Sequence, residues 1–111
     1  MSITTLLNDN EYTALKILKE EIVKQYRILD MRLYGSKARG QSNSESDIDI
    51  MIELEEHDSE IESAIDDMIF KINLEYDVFI SAIFFSRKMI VYGPMSESPI
   101  YKVIQKEGIP L

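Results

Sequence analysis

The sequence predicts an α/β fold. Two stretches, near residues 9–26 and 58–73, carry apolar residues at helical spacing, and each is followed by a stretch with the alternation or the β-rich composition of a strand. At 111 residues, the chain is expected to form one domain over 1–111. That length buries roughly two-thirds of the unfolded surface in a single core and leaves too little chain for a second.

Each element has a local reason. From Asn8 onward, Leu15, Leu18, Ile22 and Tyr26 recur at helical spacing, and Asn8 followed three residues later by Glu11 is a start signal, so a first helix is placed at about 9–26. "LDMRLY" alternates Leu29, Met31 and Leu33 with Asp30, Arg32 and Tyr34, a half-buried strand that ends at Gly35. Residues 36–46, rich in Gly, Ser and Asn, read as a loop with a short helical turn around 37–40. "DIDIMIEL" sets Ile48, Ile50, Ile52 and Leu54 on one face and Asp47, Asp49, Met51 and Glu53 on the other, as a second strand.

Ser59 with Glu62 reads as a capping box, followed by the apolar stripe Ile61, Ala64, Ile65, Met68, Ile69 and Ile72 of a helix over about 58–73. "EYDVFISA" reads as a third strand that includes Asp77. "RKMIVYG" either extends the sheet or forms a short helix, and Gly93-Pro94 ends it in both cases. Ser98 as cap, Pro99 in the first turn, Lys102 and Lys106 toward the end and Gly108 beyond it spell a final short helix. No repeat or linker divides the chain.

Composition narrows the function classes. Twenty Asp and Glu stand against 12 Lys and Arg, a formal charge of -8, so stable direct binding of nucleic acid is not expected; a basic protein, or a phosphate ligand accompanied by metal ions, fits better. The six tyrosines are spread along the chain and form no cluster interleaved with basic residues, which argues against a base-stacking platform. With no cysteine there is neither a disulfide framework nor a thiolate metal site. The start, "MSITTLLNDNEY", lacks the features of a signal peptide, and the longest apolar run, "VFISAIFF", falls far short of the ~20 residues of a membrane span. A soluble, cytoplasmic protein is expected, with no membrane partner. His57, in the polar stretch "ELEEHDSE", is expected to be a solvated loop residue.

The chemistry is concentrated in "YGSKARGQSNSESDIDIMIELE", residues 34–55. Residues i and i+2 of a strand share a face with their Cα atoms ~7 Å apart, so Asp47 and Asp49 can converge on one cation. Mg²⁺ beside a phosphate needs just such a pair of hard oxygen ligands, because water and phosphate oxygens complete its octahedron. Upstream, Gly35 lets the backbone approach a ligand without a Cβ in the way, and Ser36 offers an amide and a hydroxyl to phosphate oxygens. Lys37 and Arg39 add two cations to the same loop. The combination predicts a loop that cradles a phosphate chain beside a strand that holds its metal.

These residues resemble a known family. Gly-Ser, ten intervening residues and Asp-x-Asp on a strand is the signature of the DNA polymerase β-like nucleotidyltransferases, and "GSKARG" followed by "SDIDI" is similar to their minimal (MNT) branch. The tail "SPIYKVIQKEGIPL" is similar to MNT proteins paired with HEPN ribonuclease toxins. The resemblance implies a three- or four-stranded mixed sheet with helices packed mainly on one face. It implies two Mg²⁺ ions held by Asp47, Asp49 and a third carboxylate on a neighbouring strand, which by position is Asp77. It further implies that Gly35 and Ser36 hold the β- and γ-phosphates of ATP, with Lys37 or Arg39 offsetting charge as pyrophosphate leaves.

A chain of this length has no room for an acceptor-binding domain, so the acceptor is expected to dock from outside. The resemblance implies AMP transfer to a tyrosine of a HEPN toxin, which makes this chain an antitoxin. The alternative is a non-catalytic antitoxin that neutralises its partner by binding. Transfer to a small molecule, such as an aminoglycoside, would require a dimer to build the pocket.

Overall fold

The computed structural model describes residues 3–41 and 47–111. Its elements, in order, are α1 (Ile3–Leu6), α2 (Asp9–Gln25), β1 (Asp30–Tyr34), α3 (Gly35–Ala38), β2 (Ile48–Leu54), α4 (Ser59–Tyr76), β3 (Ile80–Ser86), α5 (Arg87–Tyr92), a 3-10 turn (Pro94–Glu97), α6 (Pro99–Glu107) and β4 (Ile109–Pro110). The expected α/β class is observed, as a four-stranded mixed sheet ordered β3-β2-β1-β4. β1 runs antiparallel to both β2 and β4, and β2 runs parallel to β3. The parallel pair needs a long crossover, and α4 supplies it.

The helix starts follow their capping chemistry. At α2 the Asn8 side chain accepts from the Glu11 N–H while Glu11 accepts from the Asn8 N–H, a complete capping box. α4 corrects the reading of Ser59: the cap is Asp58, whose carboxylate accepts from the Glu60 and Ile61 N–H groups, and Ser59 is the first helical residue. α6 begins as expected, with the Ser98 side chain accepting from the Tyr101 N–H and Pro99 in the first turn. The ambiguous "RKMIVY" is the short helix α5. α1 and β4 have too few residues to show a period in the sequence.

The larger core lies between the sheet and the pair α2 and α4. Leu15, Leu18 and Ile22 of α2 meet Ile65, Ile69 and Ile72 of α4 over Leu33, Ile48, Ile50, Ile52 and Ile80 of the sheet. Leu18 is fully buried, so its truncation to alanine carries a cost of about 2–5 kcal/mol. The opposite face is covered along part of its length by α6, where Met51, Phe85 and Ile104 form a second, smaller cluster closed by an edge-on contact of Phe85 with Tyr101. The polar side of β2 is therefore not uniformly solvated. Met51 and Glu53 are buried as well, Glu53 with its carboxylate paired to Arg87.

The end of α4 is where the sequence reading departs most from the structure. The helix continues to Tyr76, because Ile72 and Tyr76 still pack on the core, and Asp77 is its left-handed C-cap with φ 53°. Asp is one of the few residues that adopts this conformation without a large penalty. Asn73 then fixes the turn: its backbone oxygen accepts from the Asp77 and Val78 N–H groups, and its side chain donates to the Ile80 oxygen and accepts from the Ile80 N–H. The third strand starts at Ile80, three residues beyond the aspartate expected within it.

Candidate active site

β1 and β2 are adjacent and antiparallel in the register Tyr34↔Asp49. β1 ends at Tyr34, and Gly35 opens α3 immediately after it. The Gly-Ser turn and the start of the carboxylate strand therefore lie side by side. Loop residues 42–46, including the Ser46 that leads into Asp47, lie outside the described residues.

The contact is close. Gly35 has φ 77°, and a Cβ built on it would stand 2.5 Å from Asp49 Oδ2. Only glycine meets both demands, a left-handed backbone and an approach that leaves no room for a side chain. The expected function of Gly35, letting the backbone come near a ligand, is joined by another: letting it come near the carboxylate that would share the ligand.

Asp47 is exposed and directly precedes β2, whereas Asp49 is half-buried within it. Ile48 and Ile50 are fully buried toward α2 and α4, so both aspartates lie on the other face. Burial raises the Asp49 carboxyl above its ordinary range, repulsion from Asp47 raises it further, and the Arg39 guanidinium acts in opposition. A carboxylate pair in that state is relieved by a cation, and its hard oxygens suit Mg²⁺. The donor set fits one such ion.

The four remaining expected residues divide. Ser36 sits in the first turn of α3, half-buried. Arg39, the residue after α3, has its charge felt at Asp49; its guanidinium bonds Glu107 Oε1 at 2.8 Å and Gln41 Oε1 at 3.2 Å. Lys37 does not stand beside it as a second phosphate cation. Its side chain is 3% exposed and its Nζ lies 2.7 Å from Glu11 Oε2. α3 is short, and Lys37 leaves it on the inward side, where its ammonium reaches Glu11 in the first turn of α2. Asp77 is likewise not on a strand beside the pair, since it caps α4.

Three residues near the site escaped the sequence reading. Glu11 was legible as a cap, yet it also lies on the stripe of Leu15, Leu18 and Ile22, and an acid on an apolar stripe signals a buried partner. Tyr34 faces Asp49 across the ladder, and burial together with the Asp49 charge raises its phenol above the ordinary value. Glu107, on α6, holds Arg39 and carries no sequence signal of that role. His57 is exposed, as expected, and its Nδ1 contacts Glu62 Oε2 at 2.7 Å.

The site is a glycine turn pressed against a carboxylate strand, with one arginine whose charge is felt there. Comparison with known proteins makes this specific: the Nucleotidyltransferase domain family matches residues 15–109, and the chain belongs to that family. A stretch of 42 residues is 48% identical to a candidate protein adenylyltransferase of Methanocaldococcus jannaschii, covering 38% of this chain and 38% of that protein.

Among solved structures, a candidate minimal nucleotidyltransferase superposes with a TM-score of 0.56 at 19% identity, over 89% of this chain and 94% of the other. A candidate nucleotidyltransferase from Sulfolobus solfataricus gives a TM-score of 0.52 at 16% identity, over 88% and 76%. Both likenesses support the fold of a minimal nucleotidyltransferase. Among the described residues no helix is long and apolar enough to cross a membrane.

Proposed function

We propose that this chain transfers AMP from Mg²⁺-bound ATP to a hydroxyl group of a partner protein in the cytoplasm, and that the acceptor is a tyrosine of a HEPN ribonuclease toxin silenced by the modification. The observation that supports the reading is the approach of Gly35 to Asp49, which brings the proposed phosphate turn beside one of the two proposed cation ligands. The matched stretch of the Methanocaldococcus jannaschii relative supports adenylyl transfer to protein over other nucleotidyl transfers. The formal charge of -8 suits a basic, RNA-binding acceptor.

The residues divide the work simply. The turn at Gly35 and Ser36 takes the phosphate oxygens, and Asp47 and Asp49 would hold the cation, which supplies charge neutralisation to the triphosphate when bound. The acceptor hydroxyl attacks the α-phosphorus, the bond to the β-bridging oxygen breaks, and pyrophosphate leaves toward Arg39, whose pairing with Glu107 is exposed and cheaply exchanged. The proton of the hydroxyl passes to bulk water, to which the Asp47 side of the site is open.

The test is the intact mass of the protein encoded beside this one, before and after incubation with substoichiometric chain, Mg²⁺ and each nucleoside triphosphate. An AMP increment with ATP that is lost in Asp47→Asn is the expected result. A stable complex without any increment would replace transfer by neutralisation through binding.

A further inference from the structure

We propose that the carboxylate site of this chain holds one divalent cation rather than two, because the neighbouring strand and the residue that leads into it present Ser81 and Phe79 where a ligand for a second ion would stand. The inference rests on the functional reading above, in that it concerns the same site.

The register carries it. β2 and β3 are parallel with Ile48↔Ile80 and Asp49↔Ser81, and the Ile48 N–H donates to the Phe79 oxygen at 2.7 Å, which sets Phe79 level with Asp47. Ile48, Ile50 and Ile80 are all buried on the face toward α2 and α4. Alternation along the chain then puts Phe79 and Ser81 on the same face as Asp47 and Asp49. Both are exposed, Phe79 at 64%. A benzyl side chain donates nothing to a metal, and a neutral hydroxyl is a poor substitute for a carboxylate toward Mg²⁺.

Asp77 does not make up the loss. Two residues upstream of Phe79, it is held in the left-handed cap of α4 by the Asn73 carbonyl, and Asn73 in turn grips both backbone groups of Ile80. That double grip ties the cap to the strand start, so Asp77 cannot slide into the ladder without shifting the register of β3. Among the described residues, no three His, Cys, Asp or Glu side chains converge as a metal site. Two aspartates with water and triphosphate oxygens satisfy one octahedral ion, and a second would have to share the same four carboxylate oxygens.

The measurement is electron paramagnetic resonance of Mn²⁺ added to the full chain with α,β-methylene-ATP, the chain in excess over nucleotide. Two Mn²⁺ ions about 3.5–4 Å apart, the spacing of two-metal sites, are spin-coupled, whereas a single ion keeps an isolated six-line spectrum. The expected result is saturation at one Mn²⁺ per nucleotide with no coupled signal. Phe79→Asp, or Ser81→Asp, which exchanges one exposed polar side chain for another, should then admit a coupled second ion.

Two ions in the wild-type chain overturn the proposal, and loss of one of them in Asp77→Asn would identify Asp77 as the second ion's ligand. Failure of both aspartate variants to admit a second ion overturns the register argument. No bound Mn²⁺ at all, with nucleotide still bound, overturns this proposal together with the metal part of the functional reading. A one-ion result without any AMP transfer would sink the functional reading alone.

Discussion

Lys37→Met tests the inward placement of a residue that the motif alone would put on the phosphate. The Lys37 and Glu11 side chains are 3% and 7% exposed and 2.7 Å apart. Removing the ammonium leaves the Glu11 carboxylate buried without its cation, a loss that costs about 3–5 kcal/mol. Against the ~5–15 kcal/mol that holds a domain together, this is a large fraction. At about 4–8 °C per kcal/mol for a domain near this size, the midpoint of thermal unfolding should fall by at least about 12 °C.

The assay is urea denaturation followed by circular dichroism, where the midpoint should drop with the slope unchanged. Adding Glu11→Gln to Lys37→Met removes the stranded charge and keeps the side-chain oxygen that accepts from the Asn8 N–H, so the double variant should recover at least half of the loss. If Lys37→Met costs less than about 1 kcal/mol, the range of an exposed pair, and weakens nucleotide binding tenfold instead, then the lysine faces the phosphate and the reasoning fails.

Three further outcomes follow from the site. Gly35→Ala places a methyl group 2.5 Å from Asp49 Oδ2 on a left-handed backbone; it should destabilise by more than about 1 kcal/mol and abolish transfer, read by thermal unfolding and by intact mass. Asp49→Asn should make the metal-free protein more stable at pH 7, with no difference at pH 3, in paired denaturation curves taken with a chelator. The sign follows from the direction of the shift: the folded carboxyl is raised, so its contribution is present below the ordinary value of about 4 and is lost as pH rises through the folded value. Glu107→Gln should change stability by less than about 1 kcal/mol and tighten ATP binding in calorimetry by freeing Arg39, most visibly at low salt.

Much of the fold was legible because its signals are local. The capping box of Asn8 and Glu11, the alternation of Ile48, Ile50 and Ile52, and the Ser98-Pro99 start of the final helix each depend on residues within one or two turns, and each is found where the sequence put it. The errors occurred where two local readings compete. "EYDVFISA" is rich in strand formers, yet Tyr76 still serves the core face of a helix, and Asp77 is as good a left-handed cap as it is a poor strand residue. At α4 the same competition misplaced the cap by one position, since Asp58 and Ser59 are both able to cap and only the backbone decides between them.

The sequence by itself determined that a glycine turn and an aspartate pair belong to one site, because residue type and spacing along two short segments carry that information, and a local pattern survives without knowledge of the fold. Tertiary structure alone decided which neighbours complete the site. Whether Lys37 meets a phosphate or Glu11 depends on which side of a four-residue helix faces inward. Whether Asp77 or Phe79 stands beside Asp47 depends on the register of a parallel strand that returns after an 18-residue helix. Register is set by burial of Ile80 beside Ile48 and by the grip of Asn73, and a shift of a single residue along a strand exchanges its two faces.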